Sequence, residues 1–138
     1  MRYHSIGGGI LPAITIAITH SRKKAVKEVR RLIGSVDSKL EHSVNDASTT
    51  ELFDPVTGDQ RFIVLMYDRT DLPASTDAAL LAHEAVHVAT AYLAWTGVDR
   101  PDEEVMAYTV GAVSEFLVAR HFEWKARRIE REGTDISG

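Results

Sequence analysis

Hydrophobic spacing changes character several times along this chain, and each change predicts an element. Ile10 to Thr19 is rich in Ile and Ala with β-branched positions throughout, which predicts a buried strand. The stretch SRKKAVKEVRRLIGS places Ala25, Val26, Val29, Leu32 and Ile33 on one helical stripe with basic residues opposite; Ser21 opens that helix and Gly34 ends it. Residues 35 to 47 are polar, weakly patterned, and read as loop. Ser48 to Phe53 and Arg61 to Tyr67 flank the turn-rich DPVTGD and predict a β-hairpin, with RFIVLMY the strongest strand in the chain. Asp68 to Asp77 reads as a loop, with Ser75, Thr76 or Asp77 as N-cap of the following helix. That helix, Ala78 to Trp95, is apolar on nearly every side, and Gly97 stops it. A last helix should run from Pro101 to about Arg131, its start marked by Pro and acidic residues.

The order strand, helix, strand, strand, helix, helix predicts an α+β fold, a small twisted sheet carrying the two C-terminal helices. A chain of 138 residues without an internal linker is expected to form one domain, 1–138, with sheet and first helix in 1–70 and the two later helices in 71–138. A net charge of -4 offers no global basic signature, so nucleic acid is not expected as a partner. Lys125, Arg127, Arg128 and Arg131 are interleaved with Glu123, Glu130 and Glu132 and read as a solvated helix face. The apolar run Gly7 to Thr19 is too short to span a bilayer and lacks signal-peptide flanks; it reads as the first strand, and a cytoplasmic, membrane-free location is expected. With no cysteine, any metal must be held by His, Asp or Glu.

His83, Glu84 and His87 are the only ionisable groups in the apolar helix apart from the Tyr92 phenol, and they form an HExxH pattern. On a helix, positions 83 and 87 lie one above the other and both imidazoles can reach one ion. Glu84 beside them can take a proton from water without being a ligand, the division of labour that hydrolytic zinc chemistry needs. The bland alternative is a pair of core histidines bonded to backbone, with Glu84 at an exposed edge. A catalytic zinc needs a third protein ligand. No HxxGxxH continuation follows His87, so a glutamate on the next helix is the remaining common solution, and Glu103 and Glu104 open that helix. Glu104 shares a helical face with Ala107, Tyr108, Gly111 and Glu115, and a mid-helix glycine suggests close approach of the two helices. This favours Glu104 over Glu103, with Glu115 a more distant candidate.

HEAVH followed by EEVMAYTVG resembles the gluzincin branch of zinc peptidases, in particular short phage- and prophage-encoded metallopeptidase-like proteins. The resemblance covers the C-terminal half; before Asp68 it rests on element order. It implies a minimal zincin-like domain and zinc-dependent hydrolysis of a peptide or protein substrate. Residue by residue, it implies His83, His87 and Glu104 as zinc ligands and Glu84 as general base. Many gluzincins carry an acidic residue four positions after the glutamate ligand; this chain departs from that pattern with Tyr108, whose phenol is a candidate to accept or donate the same hydrogen bond to a histidine or to face the substrate. Tyr92 and His121 read as structural. The strand Arg61 to Tyr67 is expected to align substrate by edge pairing. Two other readings fit the same residues: a metal-stabilised binding or assembly protein without turnover, and a metal-dependent hydrolase of a non-peptide substrate.

Overall fold

The computed structural model describes residues 1–7, 11–36, 40, 46–67, 72–98 and 100–137. Four strands form one mixed sheet in the order β1-β2-β4-β3: β1 (His4–Ile6), β2 (Ile14–Thr19), β3 (Ala47–Phe53) and β4 (Gln60–Met66). β2 and β4 run parallel, while β1 with β2 and β3 with β4 are antiparallel. Side chains alternate between the two faces along each strand, and both faces are covered. Ile14, Ile16, Phe62, Val64 and Met66 point toward the two C-terminal helices. Ile63, Leu65 and Leu52 point toward α1 (Arg22–Ile33), which contributes Ala25, Val29 and Leu32. Apolar residues on both faces explain why RFIVLMY reads as a continuous run rather than an alternating one.

Helix α1 starts and stops as its sequence predicts. The Ser21 side chain accepts a hydrogen bond from the Lys24 amide, and Gly34 takes the left-handed conformation (φ 78°) that lets its N–H close on Arg30. The hairpin is also as predicted, its turn fixed by Asp54 Oδ1, which accepts from the amides of Val56 and Thr57 at 2.8 and 3.1 Å.

Other expectations change. The three-residue strand β1 has no hydrophobic signal of its own. β2 begins at Ile14 rather than Ile10; Ile10 lies outside the described residues, and Leu11 to Ala13 are not in the strand. Pro12 has no N–H for a ladder, and its carbonyl instead accepts the Tyr92 hydroxyl. Of the stretch read as loop, 37–39 and 41–45 lie outside the described residues; Leu40 is buried against α1 and Ala47 already belongs to β3. In the second loop 68–71 lie outside them, and the helix it leads into, α2 (Ala74–Trp95), starts earlier than expected. Pro73 holds the N-cap position with no side-chain cap, so Ser75, Thr76 and Asp77 sit inside the helix.

Helix α3 (Glu103–Ser137) is opened by Asp102, whose Oδ1 accepts from the Val105 amide at 2.8 Å. Val113, Leu117 and His121 of α3 are fully buried, and Met106 and Val110 extend the same stripe against α2 and the sheet. Among the described residues, no helix is long and apolar enough to cross a membrane.

Candidate functional site

Helix α2 sorts its residues by face. Leu81, Ala85, Val88, Ala89, Tyr92 and Leu93 are buried, whereas His83, Val86, His87 and Thr90 are exposed. The two imidazoles therefore project from the outer side of the helix, one turn apart, with ring centroids 4.9 Å apart and planes at 73°. Their Nε2 atoms converge to 3.2 Å. Two nitrogens bound to one tetrahedral zinc at about 2.0–2.1 Å must lie about 3.3–3.4 Å apart, so this spacing fits two corners of such a site.

Glu84 lies on the inner side of that pair and is only 6% exposed. Its Oε2 accepts a 2.5 Å hydrogen bond from the Thr49 hydroxyl of β3. This reverses the bland alternative: the histidines are at the surface and the carboxylate is buried, held by a strand. An open cleft of about 980 Å³ joins these groups; His83, Glu84, His87 and Thr76 line its α2 side, and Asp46, Ser48, Thr49 and Glu51 line its β3 side. Glu51 is in turn held by Gln60, whose amide donates to it at 2.5 Å and to the Ala91 carbonyl at 3.3 Å. β4 is an interior strand, so the edge pairing expected of Arg61 to Tyr67 is corrected to β3, whose outer edge bounds the sheet.

Glu104 does not line this cleft. With Ala107, Tyr108, Gly111, Ala112 and Glu115 it lines a separate depression of about 520 Å³ on α3. Nine residues at 100° each put Glu104 half a turn from Val113, the centre of the buried stripe. The expectation that Ala107 and Gly111 face α2 is therefore corrected: both are exposed, and a β-carbon added at Gly111 would meet nothing within 4 Å. Glu103 is exposed too, and Tyr108 is 75% exposed. Among the described residues, no group of three or more His, Asp or Glu side chains is gathered as a metal site.

A second polar cluster, absent from the expectations, lies near the start of α2. Asp77 is buried, and its Oδ2 meets His121 Nε2 at 2.9 Å and Lys125 Nζ at 3.2 Å. His121 Nδ1 meets His20 Nε2 at 2.9 Å, and the His20 ring stacks on Trp124 at 3.7 Å. With Asp77 as acceptor, His121 donates from Nε2 and takes the His20 proton donor at Nδ1. Burial, then the neighbouring His121 and Arg128, push the His20 imidazole down to about 3, against a smaller upward pull from Asp77. His121 is fully buried within this cluster, and Tyr92 is buried with its hydroxyl bonded to the Pro12 carbonyl. Helical phase carried a signal for the cluster, since Asp77 precedes Leu81 and Ala85 on the buried stripe and His121 follows Leu117 on its own. Thr49 carried none, because nothing in STTELF marks which strand side chain meets α2.

Comparison with protein-family models, curated proteins and solved structures returns no match.

Proposed function

We propose that the chain is a zinc-dependent hydrolase, with a peptide as the substrate class the cleft best accommodates. The observation that carries this reading is the 3.2 Å convergence of the two exposed imidazole nitrogens above a buried, strand-held carboxylate. His83 and His87 would hold the metal. A further carboxylate would complete the donor set: Glu104, which the resemblance to gluzincins implies, lies in the separate depression on α3, whereas Asp46 and Glu51 line the cleft itself. When bound, zinc supplies Lewis acidity that acidifies water and polarises an amide carbonyl.

Glu84 acts as general base. Thr49 donates to its Oε2 and would hold the carboxylate in place for proton transfer. Among the described residues no strand pairs with the outer edge of β3, and an extended peptide added there would be held by main-chain hydrogen bonds next to Glu84. Glu84→Gln preserves shape but removes the base. It is expected to lower kcat for zinc-dependent peptide cleavage by about 10²–10⁴-fold while leaving zinc affinity within a few-fold. Equal cleavage by the variant would overturn the assignment of Glu84, and zinc binding with no turnover by wild type would favour the metal-stabilised scaffold instead.

A further inference from the structure

The contact between β3 and Glu84 links the strand on which a peptide would lie to the group that would activate water. Ala47, Thr49 and Glu51 occupy alternate positions of β3 and line the cleft together with Ser48, while Leu52 packs beside α1. Of the three, Thr49 reaches the inner side of α2. Its Oγ1 is 2.5 Å from Glu84 Oε2, a short hydrogen bond to a carboxylate of a residue only 6% exposed. A glutamate side chain has three rotatable bonds; fixing one of its oxygens to a β-branched residue on a paired strand removes most of that freedom. The Thr49 backbone is itself fixed opposite Val64 of the interior strand. Glu84 is therefore oriented by the sheet as well as by its own helix.

We propose that Thr49 is a positioning residue that holds the Glu84 carboxylate in the cleft and couples its orientation to the edge strand β3. This rests on the reading of Glu84 as general base. Thr49 touches neither metal nor water in the scheme, so it acts only through Glu84, and a hydroxyl with the same reach should replace it. Thr49→Val keeps the shape and removes the donor; Thr49→Ser keeps the donor and removes the methyl.

The test compares these variants with wild type, zinc-loaded, on a quenched-fluorescence peptide that wild type cleaves. Thr49→Val should lower kcat by at least about tenfold with KM and zinc affinity within about twofold, and Thr49→Ser should recover kcat to within about threefold of wild type. In the metal-free protein, urea midpoints of Thr49→Val, Glu84→Ala and the double variant should be non-additive, a readout independent of activity. An active wild type with kcat unchanged in Thr49→Val, with a Thr49→Ser as impaired as the valine variant, or with additive midpoints would overturn this proposal alone. A wild type without zinc-dependent cleavage would overturn the hydrolase reading and this proposal with it.

Discussion

Single residues of this chain carry very different information. His83, Glu84 and His87 are legible from sequence because their relation is set by one helix, where a four-residue step fixes the spacing of two side chains whatever the fold. Thr49 and Glu84 are 35 positions apart and meet only because β3 folds against α2, so no local pattern announces them. The buried chain Asp77–His121–His20 is of the same non-local kind and has a consequence for pH. The imidazole of His20 is held at about 3, below the ordinary histidine value of 6.5, so protonation favours the unfolded chain. Its contribution to stability is present above about pH 6.5 and is lost as pH falls toward 3. At pH 4.5 that loss amounts to about 2–3 kcal/mol relative to pH 7. Carboxylates titrate in the same range, so the comparison is with His20→Phe, which keeps a ring to stack on Trp124 and has no proton to gain. Urea unfolding at pH 7 and 4.5 should show a smaller acid loss in the phenylalanine variant; equal losses would contradict the depressed imidazole.

Whole elements are legible where the hydrophobic pattern is long and strong. The α1 stripe with its Ser21 and Gly34 caps and the β3–β4 hairpin follow from period and punctuation, and the two long C-terminal helices from length and apolar content, though α2 starts earlier than its cap candidates and α3 runs on to Ser137 rather than Arg131. β1 was not legible, since three residues cannot display a period, and its pairing with β2 depends on chain reversal. The rotation of α3 differs from the expected phase for a physical reason: Ala107 and Gly111 invite close helix packing, but Met106, Val110, Val113 and Leu117 bury far more apolar surface against α2 and the sheet. That stripe turns the small residues outward. With open space at its α-carbon and a helical backbone, Gly111 should gain from a methyl group. Gly111→Ala is expected to stabilise the protein by about 0.5–1 kcal/mol in urea unfolding. Destabilisation would mean that this face of α3 is packed after all.

At the scale of the molecule, two apolar clusters sandwich a four-stranded sheet, and the cleft opens where α2 crosses the outer strand β3. The parallel pairing of β2 with β4 places β4 inside and leaves β3 at the margin of the sheet among the described residues, so the exposed histidines, the buried glutamate and an edge strand come together. Sequence supplied the helix of this site; topology supplied its opposite wall. The α3 carboxylates Glu104 and Glu115 border a separate depression, so helical phase alone did not place them by the histidine pair. The proposed zinc site at His83 and His87 can be examined by isothermal titration of metal-free protein with zinc, run beside His83→Ala and His87→Ala. Wild type should bind one zinc per chain, and each variant should bind at least about a hundredfold more weakly. Absence of stoichiometric binding by wild type, or binding that survives both substitutions, would contradict it.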